Sequence, residues 1–233
     1  NLIKEYNGNT GFPKLIEKEF DDIHSIKGSE LIEYITESYD KKGNDQTLII
    51  TRSNKRANKY NEGIRNTILW KEEQISVGDY VMIVKNNYFW ADQNTEIDFI
   101  ANGDIAEIMK IYSLMEMYGY KFADALLNFP DYGNIEIKCR LMLDTLTLNS
   151  ASLSSDENRE FYYKVAEDFQ DERSKKKIFE KVRINPYFNA LQVKFAYAVT
   201  CHKSQGGQWD TIFIDQGFIT EDRADVEYLR WLY

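Results

Sequence analysis

Residues 29–68 read SELIEYITESYDKKGNDQTLIITRSNKRANKYNEGIRNTI, and their order of patterns decides the fold. Leu31, Ile32, Ile35 and Tyr39 recur at helical spacing behind Ser29, a good N-cap residue, so 29–42 is predicted as an amphipathic helix. Gly43-Asn44-Asp45 is a turn. Thr47-Leu48-Ile49-Ile50-Thr51 is an apolar, β-branched run bounded by turn signals, the pattern of a strand buried on both faces in a parallel sheet. Ser53 then caps a second helix with Ala57, Tyr60, Ile64 and Ile68 on one face. Helix–strand–helix order is the grammar of an α/β domain.

Downstream the grammar changes at Gln74. Ile75 to Asp79 is a turn and Tyr80 to Val84 a strand. Phe99 to Ile111, with Asn102-Gly103-Asp104 inside, reads as a hairpin, and Ile135 to Leu148 alternates as a half-buried strand does. Met115 to Phe129 is expected as a short helix or ordered loop. Residues 72–150 are therefore predicted as a small antiparallel barrel. Residues 151–190 form a helical connection of one or two surface helices, capped by Ser154 or Ser155 and ended by Asn185-Pro186. Leu191 to Phe195 and Thr211 to Asp215 are strands that resume the α/β pattern. The barrel is thus an insertion between a first α/β part at 1–71 and a second at 191–233.

Composition bounds the function. The chain has 233 residues, 43% of them hydrophobic and 29% charged, enough for a sizeable core. No apolar run has the length of a membrane span, and the first residues lack the apolar stretch of a signal peptide, so a cytoplasmic protein with no membrane partner is expected. Two cysteines and two histidines, widely scattered, exclude a disulfide framework and make a metal site unexpected. The chain starts without Met and stops in YLRWLY, as a piece of a longer protein would. Its net charge of −9 is uneven: residues 51–71 carry six Lys or Arg against one Glu, whereas 72–149 carry thirteen acids against five bases. Local potential, not the total, sets a binding surface.

The densest chemistry lies in Ala196-Tyr197-Ala198-Val199-Thr200-Cys201-His202-Lys203-Ser204-Gln205-Gly206-Gly207-Gln208-Trp209-Asp210. Thr, His, Lys and Ser at the start of a short helix present hydroxyl, imidazole and ammonium donors, a set suited to phosphate oxygens. The two glycines let a backbone approach a ligand closely. Cys201-His202 is no nucleophile pair, because adjacent helical residues point apart.

This string resembles motif V and its neighbour in superfamily 1 DNA helicases of the RecD-like branch, the exodeoxyribonuclease V alpha-subunit family, whose pattern is close to A-Y-A-x-T-x-H-K-S-Q-G-x-E-[WF]-D. Gln208 stands where that family usually has Glu. Thr51 to Arg65, with Asn54, Asn61 and Ile64, is similar to the family's T-x-x-N…N-x-x-I-R segment, and Gly78-Asp79-Tyr80-Val81-Met82, then Lys85-Asn86-Asn87-Tyr88, resembles its G-D-x-V-M-x-x-x-N-x-Y signature. Asn102-Gly103-Asp104 resembles its N-G-D-x-G turn, with Ala106 for the last Gly. The resemblance implies a second RecA-like motor domain, a parallel sheet interrupted by an SH3-like barrel. It covers about 48–111 and 191–233, while 113–190 carries no quotable signature.

By the same resemblance, Thr200, His202, Lys203 and Ser204 are the group that contacts phosphates of single-stranded DNA. Arg52, Asn54 and Lys55 of the basic helix are expected beside them, and Tyr88 in the aromatic loop suits stacking on a base. Gly206 and Gln208 fall where the family approaches its nucleotide. The implied cofactors are ATP and Mg in the intact enzyme, with none expected on this piece. The 233 residues contain neither a G-x-x-x-x-G-K-[ST] loop nor the acidic pair of motif II, and they end before motif VI. The implied partners are single-stranded DNA, the N-terminal RecA-like domain of the same protein and, as in exonuclease assemblies, other repair-nuclease subunits. Two rival readings stand beside the motor: a nucleic-acid-binding module using the barrel and the basic helix 51–71, and a partner-binding fragment docking through 150–183.

Overall fold

A computed structural model describes residues 21–91 and 97–217. Three parallel strands, β1 (Thr47–Thr51), β7 (Ala198–Thr200) and β8 (Thr211–Ile214), form one sheet with β1 in the middle. Helices α1 (Leu31–Lys42) and α2 (Asn54–Gly63), the latter continuing through a π turn at Ile64–Ile68, cover one face. Ile35, Ala57 and Ile64 pack there against Ile49 and Tyr197. On the other face Leu48 and Val199 meet Met82 and Ala196 of the barrel side. Successive residues of β1 thus enter two different cores, which is why its run is apolar without alternation.

The second unit is a closed five-stranded barrel, β2 (Tyr80–Ile83), β3 (Ile105–Met117), β4 (Tyr120–Phe129), β5 (Ile135–Met142) and β6 (Leu191–Phe195). Its centre is filled by Val81, Ile83, Ile108, Leu127, Phe129 and Leu141, all inaccessible to solvent. The barrel closes by a parallel pair, Leu141↔Leu191 and Met142↔Gln192. A parallel neighbour cannot be reached by a tight turn. Residues 143–190 supply the crossover, with helices α3 (Ser155–Ala166) and α4 (Lys175–Arg183). Ser154 caps α3 in a full capping box with Glu157, and Phe161, Val165 and Val182 pack on Phe122 and Met142 of the barrel wall. A last single turn, α5 (Cys201–Ser204), follows β7.

Several expectations need correction. Leu191–Phe195 does not belong to the parallel sheet; it pairs with β2 and β5, so the barrel runs from Tyr80 to Phe195 and the chain re-enters the sheet at Ala198. A five-residue apolar run is legible as a strand, but not as a member of one sheet rather than another. Met115 to Phe129 is neither helix nor loop. It is half of a long hairpin turning at Tyr118-Gly119, both at positive φ (56° and 76°), the geometry of a two-residue hairpin turn. Register shifts between Ile108 and Lys110, and between Ile111 and Ser113, break the alternation that would have shown it. The segment 99–111 is not a self-paired hairpin: Ile100 bridges to Asn87, while Ile105 onward pairs with β2. Helix α1 starts behind Glu30 rather than Ser29, and Ile32 is 54% exposed.

Polar groups weld barrel to sheet. Asp79, fully buried, accepts from the Ser76 amide (2.7 Å), the Tyr197 hydroxyl (2.9 Å) and Lys71 (3.1 Å), and pairs with Arg65 (3.1 Å). Asn61 on α2 donates to the Phe195 and Ala198 carbonyls and accepts from the Ala198 amide, so it holds the residues between β6 and β7 on both sides. Asn58 donates to the Thr147 and Leu148 carbonyls (3.1 and 2.9 Å). Lys194 of β6, only 7% exposed, donates to the Thr145 and Leu148 carbonyls.

Candidate nucleic-acid interface

The register Thr51↔Thr200 brings the carboxyl ends of β1 and β7 side by side. Asp215, just after β8, reaches the same edge by donating its amide to the Ile50 carbonyl (2.9 Å). Chains leaving parallel strands at this edge form the usual ligand-binding rim of an open α/β sheet. Here they present Arg52, Asn54 and Lys55 from the β1–α2 junction, and Thr200 to Ser204 from the β7–α5 junction.

The β1–α2 junction is tightly built. Buried Thr51 donates from its hydroxyl to the Ser53 carbonyl (3.1 Å), and the Ser53 hydroxyl accepts from the Arg56 amide as N-cap of α2. Arg52 and Lys55 are exposed on this frame and Asn54 is half-buried. Arg56 is engaged: its guanidinium lies 2.5 Å from Asp215 and ties α2 to the end of β8. Burial first, and then the charge of Asp215, raises the Tyr60 phenol beside them above its ordinary value.

In the β7–α5 turn His202 is exposed, whereas Ser204 folds back to donate to the Cys201 carbonyl (2.9 Å). Lys203 turns toward the barrel and donates to the Asn102 side-chain oxygen. Burial lowers the pKa of its ammonium. The Asn102 amide in turn donates to the Asn86 side chain (2.8 Å). Asn87 shapes the next residues, its side-chain oxygen accepting from the Phe89 and Trp90 amides. Tyr88 stands 68% exposed with its ring stacked on Phe99 at 5.0 Å, while Trp90 packs on the barrel core and donates to the Asn189 carbonyl (2.7 Å). One aromatic of the Tyr88-Phe89-Trp90 trio therefore plugs the barrel end and one is presented outward. Sheet edge and barrel loops form a single surface through Lys203, Asn102 and Asn86.

Gly206 and Gln208 follow the α5 turn, where the Gly207 amide donates to the Ser204 carbonyl (3.2 Å). They are exposed on the return toward β8. Beyond them Asp210 pairs with Lys42 (3.2 Å) and the Thr211 amide reaches the Gln46 carbonyl, both at the amino end of β1. Gly207 is fixed by packing: a side chain there would meet the Trp209 ring at 2.0 Å. Among the described residues no group of three His, Cys, Asp or Glu could hold a metal ion. Among the described residues, no helix is long and apolar enough to cross a membrane.

Sequence reasoning placed Asn102 only in a turn and had no long-range role for Asn61 or Asp79. Their partners lie about a hundred residues away in the chain, at a distance no local pattern reports.

A scan of family models matches residues 195–233 to the UvrD-like helicase C-terminal domain, a span that holds β7, α5 and β8. A protein of Acanthamoeba polyphaga mimivirus, described as uncharacterized protein R530, is 23% identical, with 82% of this chain and 45% of that protein covered. The chain thus spans less than half the length of this relative. The match over 195–233 falls on the strand-and-turn segment that carries the surface, and it supports a place for this chain among the helicases.

Proposed function

We propose that this chain is the C-terminal motor part of a DNA helicase of the RecD-like branch, a RecA-like unit carrying an SH3-like barrel. In this reading the carboxyl edge of the sheet holds phosphates of single-stranded DNA through Thr200, His202, Lys203 and Ser204, with Arg52, Asn54 and Lys55 alongside, and Tyr88 offers a stacking face. The observation that carries it is the register Thr51↔Thr200, which sets the donor-rich β1–α2 junction beside the β7–α5 junction, the latter within the helicase-like segment. Lys203 acts both as a phosphate donor and, through Asn102, as the tether that keeps the barrel loops aligned with the rim.

ATP with Mg, held between this unit and an N-terminal RecA-like domain of the same protein, would supply the free energy for translocation. What the residues of this chain contribute is the grip and its rigid support. Other repair-nuclease subunits are proposed partners in a cytoplasmic assembly. The test is anisotropy of a labelled oligo(dT) titrated with the chain. His202→Ala and Arg52→Ala are expected to weaken binding, Arg52→Ala with a smaller dependence on salt. An affinity unchanged in both variants would overturn the assignment.

A further inference from the structure

We infer that the outer face of α3 and α4, on the crossover between β5 and β6, is a second contact for single-stranded nucleic acid. The inference rests on the nucleic-acid reading above. Residues 173–183, RSKKKIFEKVR, carry six bases and one acid in a protein of net charge −9. Lys177 and Lys181 are used internally, pairing with Glu172 at 3.8 and 3.1 Å. Lys175, Lys176 and Arg183 are exposed and form no ion pair among the described residues. Lys175, Phe179 and Arg183 are four apart and share one helical face, with Lys176 about 100° round from Lys175 and the acid Glu180 beside Lys176.

A basic helix alone is usually a solvated face. Here it borders exposed rings. Phe179 is 53% and Tyr163 60% exposed, and Tyr162 touches both, at 6.4 and 5.6 Å between ring centres. Cations flanking open aromatic faces are the elements that bind a strand whose backbone is anionic and whose bases are free to stack. An acidic protein surface would use the cations but leave the rings without a matching partner. The face is also joined to the first surface: Lys85, next to Asn86, donates to Asn158 near the start of α3 at 3.3 Å. The start of α3 therefore lies beside the Asn86–Asn102 turn.

The test uses the whole chain and labelled oligo(dT) of 10 and 30 nucleotides across a salt series. Lys175→Ala/Lys176→Ala/Arg183→Ala is expected to bind the longer strand about tenfold more weakly, with a log–log salt slope reduced by about 2, and the shorter strand with little change. Phe179→Ala should weaken the longer strand about fivefold or more with the slope unchanged, since stacking carries no counterion. All four side chains are exposed, and an unaltered melting temperature checks the fold. If the triple variant binds both strands as wild type does while His202→Ala loses affinity, this inference fails and the rim assignment stands. If wild type binds neither strand, both fail. If the triple variant loses binding to phosphatidylserine vesicles but not to oligo(dT), the face serves a membrane surface and the inference is overturned.

Discussion

Removing the Asp79 carboxylate should unfasten the barrel from the sheet. In Asp79→Ala the Arg65 guanidinium, with 7% of its side chain exposed, loses its ion pair inside the protein, and the Ser76 amide and Tyr197 hydroxyl lose their acceptor. Breaking a buried pair from one side costs about 3–5 kcal/mol, because the remaining charge stays desolvated. Arg65 keeps its bond to the Glu73 carbonyl (2.7 Å) and its seat 4.3 Å over the Phe195 ring, which places the loss near the lower end, about 3 kcal/mol. Tyr197→Phe, which removes a donor to Asp79 and the acceptor of the Tyr80 amide (3.3 Å), should cost only about 1–1.5 kcal/mol. Urea unfolding followed by tryptophan fluorescence reads both. With a slope of about 2–3 kcal/mol/M, Asp79→Ala should move the midpoint down by about 1 M or more and Tyr197→Phe by about 0.4 M. A shift for Asp79→Ala no larger than that for Tyr197→Phe would refute the weld.

Other consequences follow from the same contacts. Burial lowers the Lys194 ammonium to about 8. Its charged form is therefore disfavoured in the fold, so wild-type stability should rise from pH 8 toward the ordinary lysine range near 10, by up to about 3 kcal/mol, and Lys194→Met should lose that rise in pH-dependent urea melts. Asn61→Ala strips partners from the Phe195 and Ala198 carbonyls and the Ala198 amide and should cost about 2–3 kcal/mol by thermal melting. The 233-residue chain should show no DNA-stimulated ATPase activity in a coupled assay, since it contains no Walker loop; turnover abolished by a point change within it would contradict this. Gln208→Glu should leave affinity for oligo(dT) within about twofold in nucleotide-free anisotropy, because Gln208 is exposed and salt screens a charge there.

What could be read from residues alone was local. Thr47 to Thr51 announced a central strand because both its faces are buried, and Ser53 and Ser154 announced helix starts because a cap is a bond between near neighbours. The candidate rim was legible through Thr200 to Ser204, whose density of donor types stands out without knowing the sheet order. The β3–β4 hairpin was hidden, since Tyr112 and Leu114 are exposed and two register shifts interrupt the period. Its turn, Tyr118-Gly119, was the available signal. The place of β6 was hidden because burial makes any core strand apolar, whichever sheet it joins. Asp79 was read as a turn residue, which its bond to the Ser76 amide bears out, but its partners Arg65 and Tyr197 come from separate elements. The basic-aromatic face of α4 was visible as the run RSKKKIFEKVR, yet only the helix shows which of its cations remain uncommitted.

The central claim is that the carboxyl rim of the parallel sheet holds single-stranded nucleic acid. Salt-dependent anisotropy of labelled oligo(dT) on wild type and Arg52→Ala/His202→Ala tests it most directly, since both positions are exposed on the rim and neither belongs to the Asp79 weld. The account predicts salt-sensitive binding by wild type and a loss of about tenfold or more in the double variant, with a shallower salt slope and an unchanged melting temperature. Equal affinity and equal slope in the two proteins would contradict it.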